Sequence, residues 1–468
     1  KIVLFVVGVV FTYLFYTSIR LGGATSFLLI SHDDGRINDA TTYGHLNIPK
    51  YEINDLYRNE HKKVDNDDGN QRCARYGLKL FNSTKPRRIF FGATIADENW
   101  DVFLIHAIEA YDIYHVVALV ESNTTFMNTP RDLRFYNKNS DAYNLLLSSE
   151  LFGPNTQMFL DPWLVDFPDF TGLTRESEQR NEIIKRWKEQ GMTPDDLGIL
   201  SDIDEVFSRD FLRAVQTCDF PELRPNQSCQ RPKIIPSSIF FEATPLCIKK
   251  EPWYHPDVIS GQCIEGIGDP SERMVPLRDH RRRYGERHQS YGKRDPNMYP
   301  RSVRKQGRYP LFNGPDFRTV KADRGLRYNL VKKSINGAEA VLGAAYHLHN
   351  WFTDLKVLRH KYMTYGHPDA SVMEKTLSQV STDLYLLVRC IRELGNDDKV
   401  KDDWAKYYEQ GKRMQGNRPI FFLNTTYISQ RHELVNDMIR KDEAEFGTNY
   451  DKDGQWVDVK LFPLKNEK

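Results

Sequence analysis

The chain has 468 residues, 40% of them hydrophobic and 12% aromatic, which supplies a sizeable core and excludes a wholly disordered chain. Its 65 Lys and Arg against 64 Asp and Glu leave a net charge of +1, so no overall field draws it to nucleic acid. A mean hydropathy of −0.60 excludes a polytopic membrane protein but leaves room for one anchor.

Residues 2–16 are almost wholly apolar and lie between Lys1 and Arg20. Extended to Ile19, the run reaches the roughly 17–25 residues of a membrane-spanning helix. We read residues 1–19 as a signal-anchor. A cleaved secretory signal and a buried helix are the competing readings. Either of the first two sends the remainder into the secretory pathway. Residues 20–84 are polar, with an acidic run at 65–68, and read either as a stem or as an ordered extension packed on the catalytic domain. The cysteine count, six, is even, without C-x-x-C pairs. In an oxidising compartment Cys218, Cys229, Cys247 and Cys263 are placed to staple one loop region. N-x-S/T sequons occur at Asn82, Asn123, Asn226 and Asn424.

Regular structure is expected from residue 85. Residues 88–94 and 114–120 are strand-like apolar runs, and 100–110 has helical spacing at Val102, Ile105 and Ile108. This strand–helix–strand rhythm predicts an α/β fold with a parallel, doubly wound start. A charged helix is expected over 175–190, with Ile183, Ile184 and Trp187 on one side. A third strand is expected over 197–203, a helix from Ser208 and a strand over 237–243. Residues 273–308 form a basic stretch containing Arg281, Arg282 and Arg283, read as a solvated insertion. Beyond it come an apolar segment at 338–351, helices at 372–393 and 402–414, a short strand at 419–423 and a helix at 428–439. Residues 85–440 form one unit in this reading, and 441–468 a charged tail.

The chemistry concentrates in residues 197–210, LGILSDIDEVFSRD. Strand alternation would turn Asp202 and Asp204 to one side. Two carboxylates aimed together repel unless a cation lies between them. Oxygen ligands of this kind suit Mg²⁺ or Mn²⁺ shared with substrate phosphates. In open α/β sheets ligands bind beyond the carboxyl ends of strands, so the pair implies a metal-bridged diphosphate such as a nucleotide-sugar. An EF-hand starting at Asp202 is excluded, because Phe207 and Arg213 occupy its glycine and glutamate positions. Glu121 ends another buried strand and lines the same crevice by the same rule.

The segment SDIDEVFSRD resembles the signature of glycosyltransferase family 17, through Asp202, Asp204, Glu205, Arg209 and Asp210. The run around 117–135, with Glu121, Pro130 and Leu133–Phe135, is similar to a second family segment. AAYHLHNWF, with His347, resembles a third, and Lys361 and His367 a fourth. The resemblance implies a GT-A-like, Rossmann-type nucleotide-sugar-binding domain in a single-pass type II Golgi membrane protein with its catalytic domain in the lumen. It implies transfer of GlcNAc from UDP-GlcNAc, with a divalent cation of the Mn²⁺ type, to a mannose of a glycoprotein N-glycan in the bisecting β-1,4 manner. Asp202 and Asp204 would hold the metal; together with Glu205, Arg209, Lys361 and His367 they would bind substrate. Inversion requires a base, for which Asp210, His347, Glu121 and Glu242 are the candidates. Another lumenal nucleotide-sugar transferase and a non-catalytic glycan-binding protein are the rival readings.

Overall fold

The structure, a computed structural model, describes residues 61–81, 85–96, 98–126, 129–164, 173–224, 233–248, 253–264, 266–268, 334–335, 338–339, 341–355, 357 and 425–446. It is a mixed α/β protein. Strands β1 (Ile89–Ile95), β2 (Tyr114–Ser122), β3 (Gln157–Trp163) and β4 (Leu197–Asp202) run parallel in the order β3-β2-β1-β4. The sheet continues antiparallel through β9 (Asp257–Ser260) and β6 (Lys233–Ile234). The second sheet has β5 (Glu205–Phe207), β12 (Val341–His349), β7 (Pro236–Glu242) and β8 (Thr244–Ile248) as neighbours in that order. Two-residue strands β10 (Ser334–Ile335) and β11 (Ala338–Glu339) pair antiparallel just before β12. The strands expected at 88–94, 114–120, 197–203 and 237–243 are β1, β2, β4 and β7. The apolar segment at 338–351 holds β11 and β12, and β12 pairs parallel to β7 and antiparallel to β5.

Strands β1, β2 and β4 are apolar along most of their length because both faces are covered, whereas the edge strand β3 is partly exposed. One face, with Phe91, Val117 and Ile199, packs in the main core beneath α2 (Trp100–Ala110). The other, with Phe90, Val116 and Leu200, meets Ile183, Ile184 and Trp187 of α5 (Leu173–Glu189). Gly92 permits that approach: a Cβ there would lie 2.0 Å from Cγ2 of Ile183. Trp187 Nε1 donates to the Phe91 carbonyl at 3.1 Å, so the indole is satisfied within the core. The short helices α3 (Asp141–Leu147) and α4 (Ser149–Phe152) lead into β3. The long helix α7 (Thr425–Phe446), covering the helix expected at 428–439, returns onto β8.

Residues 61–81, in the segment read as a stem or a packed extension, are packed. Helix α1 (Gly69–Arg75) lies against α6 (Arg209–Thr217), and Cys73 forms a disulfide with Cys218. This corrects the expected loop staple for Cys218: its partner is 145 residues upstream. Cys247 and Cys263 are also disulfide-bonded. Among the described residues no helix is long and apolar enough to cross a membrane. The 1–19 segment, the basic stretch 273–308, the elements expected at 372–393, 402–414 and 419–423, and Lys361 and His367 lie outside the described residues.

Candidate active site

In the order β3-β2-β1-β4 the chain moves outward from β1 through β2 and β3, then places β4 on the other side of β1. That reversal opens a crevice beyond the carboxyl ends of β1 and β4, the usual ligand position in such sheets. Asp202 pairs in register with Thr94 there, and Glu121 with Ile95 on the other flank.

Strand β4 stops at Asp202, and a turn through Ile203 and Asp204 carries the chain into β5 of the second sheet. The acidic cluster therefore lies at the junction of the two sheets. Its backbone is held from several sides. Nδ1 of His106, on α2, lies 2.9 Å from the Ile203 carbonyl, and Leu348 N donates to the Asp204 carbonyl at 2.8 Å. Asp202 N donates to Oε2 of Glu205 at 3.0 Å. Burial drives the His106 imidazole down to about 4, against the opposing pull of the Ile203 hydrogen bond, so it stays neutral at pH 7.

The strand alternation expected to aim Asp202 and Asp204 together ends at Asp202, where the turn begins. The two carboxylates meet different partners. Asp202, 38% exposed, lies 2.7 Å from Nη2 of Arg180 on α5. Asp204, 23% exposed, lies 3.3 Å from Nε2 of His347 on β12. Both reach solvent at the sheet junction.

His347 is buried in an aromatic cluster. Trp253 stacks on it with centroids 4.9 Å apart, and Phe240 lies at 4.8 Å. Its Nδ1 is buried without a hydrogen-bond partner. Nε2 faces Asp204 at 3.3 Å, and a neutral ring protonated there would leave the lone pair on Nδ1. Trp253 is anchored in turn, since its Nε1 donates to Oε1 of Glu205 at 2.7 Å. Glu205 is wholly buried. It therefore joins the turn to the aromatic cluster.

Three further acids assigned to the site hold structure. Both oxygens of Glu121, wholly buried, accept from the backbone N–H groups of Arg134, Phe135 and Tyr136. Burial pushes its carboxyl up and those N–H groups pull it down, with a net rise. Glu242 accepts from Asn350 Nδ2 at 2.7 Å and lies 2.9 Å from Nδ1 of His349, fixing the end of β12. Asp210 is buried against Arg72, Arg75 and Tyr76.

Arg209 likewise leaves the crevice. It forms a two-pronged pair with Asp65 at 2.6 and 3.0 Å and donates to the Tyr111 carbonyl at 2.7 Å. Ser208 caps α6, its Oγ accepting from Phe211 N. The Ser-Arg-Asp end of the signature is thus a helix start that binds the N-terminal segment. Sequence reasoning missed His106, Arg180 and Trp253, each distant in sequence from the turn it serves. An arginine one turn before the apolar stripe of α5 was the available signal for Arg180.

Residues 43–224 match the family model described as glycosyltransferase family 17. This segment, less than half of the chain, is similar to glycosyltransferase family 17. The match supports a glycosyltransferase, and the matched residues include Glu121 and the acidic turn after β4. His347 lies downstream of the matched residues. A comparison with curated proteins found no match.

Proposed function

We propose that the chain is an inverting glycosyltransferase that moves GlcNAc from UDP-GlcNAc to a mannose of a glycoprotein N-glycan, in the Golgi lumen, with residues 1–19 as its membrane anchor. The carrying observation is the solvent-reaching carboxylate of Asp202 at the strand-order reversal of the segment similar to family 17. The likeness of the signature segment to the family supplies the donor, acceptor and GT-A-like fold.

Among the described residues no group of three or more His, Cys, Asp or Glu is placed to hold a metal ion. The donor set fits a divalent cation shared with a diphosphate, which needs only one or two protein carboxylates. Asp202 and Asp204 are the residues that would hold it. Such a cation, when bound, offsets the charge gathering on the leaving diphosphate.

The chain's own residues do the rest. Of the four base candidates, Glu121 holds backbone N–H groups, Asp210 holds Arg72, Arg75 and Tyr76, and Glu242 holds Asn350 and His349, which leaves His347. Asp204 orients its ring, and Nδ1 takes the proton of the acceptor hydroxyl. The acceptor oxygen then bonds to the sugar C1 as the C1–phosphate oxygen bond breaks, and the diphosphate leaves with the electron pair. The buried rings of Trp253 and Phe240 fix the imidazole in place.

The test is transfer to an N-glycan acceptor across a panel of UDP-sugars with Mn²⁺, using the full chain. GlcNAc is the expected donor sugar. Preference for another sugar overturns the donor assignment, and consumption of none supports a non-catalytic glycan-binding protein.

A further inference from the structure

Arg180 has no role in the proposed chemistry, yet its guanidinium is incompletely satisfied beside the crevice. Its side chain is 3% exposed. Nη2 serves two acceptors, Glu176 on the same helix and Oδ1 of Asp202. Nε and Nη1 are buried and have no hydrogen-bond partner. A guanidinium keeps its charge at any working pH, and buried N–H groups without acceptors are unfavourable. Arg209, equally buried, contrasts with it by spending its donors on Asp65 and two carbonyls.

Each unused donor shares an edge of the planar guanidinium fork with Nη2, so a phosphate that sets two oxygens on one edge must take Nη2 from Asp202. The fork stands at the carboxyl end of β4, at the position where open α/β sheets place their ligands. Its ion pair also accounts for the divergence of the two aspartates, because Asp202 is drawn to α5 while Asp204 turns to His347.

We propose that Arg180 binds the diphosphate of the donor, and that its pair with Asp202 is the ligand-free arrangement, exchanged as a nucleoside diphosphate enters. This rests on the transferase reading above. Phosphate oxygens take Nη2 together with one of the unused donors, and the Asp202 carboxylate, displaced from Nη2, is released towards the crevice, where Asp204 already stands. One anion replaces another at the guanidinium, so no buried charge is stranded at any stage. Arg180 is thereby a switch between an acid held by the helix and an acid free to face the donor.

The test is calorimetric binding of UDP and of uridine to the full chain, with Mn²⁺ present throughout, for the unaltered protein, Arg180→Lys and Arg180→Gln. Melting temperatures establish which variants fold, and Arg180→Lys alone decides if Arg180→Gln does not. The unaltered chain should bind UDP more tightly than uridine. Both variants should lose about 10- to 100-fold in UDP affinity, as expected for charged hydrogen bonds, with uridine affinity held within about twofold. Lysine should not restore UDP binding, since an ammonium group lacks the fork. Unchanged UDP affinity, or equal losses for UDP and uridine, overturns the assignment of Arg180 and leaves the transferase reading standing. Failure of the unaltered chain to bind UDP overturns the transferase reading and the Arg180 proposal with it.

Discussion

Oδ1 of Asp210 lies 3.1 Å from Nε of Arg72, an acid of the glycosyltransferase signature bonded to the helix that precedes the sheet. Arg75 and the Tyr76 hydroxyl complete its surroundings. Burial, with the Asp210 charge behind it, pushes the Tyr76 phenol well up, so it remains a hydrogen-bond donor. Breaking a buried pair strands the remaining charge, at roughly 3–5 kcal/mol. Asp210→Ala should lose stability on that order in urea unfolding, while transfer per folded molecule persists. Loss of transfer with unchanged stability would return Asp210 to the chemistry.

Asp65 ties the same extension to Arg209 and Arg213. Burial pushes its carboxyl up, but the hydrogen bonds from Arg213 and Arg209 outweigh this and hold it at about 2, against 3.8 unfolded. The unfolded chain binds that proton more readily. The stabilising contribution is therefore complete above about 3.8 and is lost as pH falls towards 2. The stability difference between the unaltered protein and Asp65→Asn should be flat at neutral pH and shrink across that window. Melting temperatures measured against pH give the curve.

His106 carries a second acid-sensitive contribution, closer to the site. Its folded value of about 4 lies below the ordinary 6.5, so its contribution is full above 6.5 and lost as pH falls through 4. The loss is at most on the order of 3 kcal/mol. Replacement by Phe removes the support of the Ile203 carbonyl and should lower kcat while the fold, followed by circular dichroism, stays intact. An unchanged kcat would show that the turn holds its shape without this hydrogen bond.

Helix α5 reaches the crevice because a glycine lets it lie close on β1. Ala at position 92 would meet Ile183 and Trp187. Overpacking of this kind costs about 1–3 kcal/mol. Gly92→Ala should therefore lower the melting temperature and, by lifting α5 and Arg180, weaken donor binding. A neutral outcome in both measurements would mean that α5 is not positioned by this contact.

Asp202→Ala and Asp204→Ala should abolish transfer without unfolding the protein, because both carboxylates are partly exposed. His347→Gln should lower kcat by about 10²–10⁴, the range for a lost general base. Single-turnover kinetics separate that effect from acceptor binding. Near-normal turnover in any of the three would remove that residue from its role.

The alternation and helical spacing of residues 88–120, the third strand and the helix from Ser208 were legible in the sequence, because burial on one or both faces leaves a short-range pattern. Position was legible too: an acidic cluster after a buried strand falls at a sheet edge. The roles within the cluster were not. Asp202 answers to Arg180, 22 residues before it, and Asp210 to Arg72, 138 residues before it. Charges select partners through space, and no local pattern records which partner the folded chain delivers. Short-range pattern was enough to establish the α/β rhythm and where the acids gather. Which acids face solvent and which clamp the extension was settled by packing, since desolvation and pairing depend on neighbours far away in the chain.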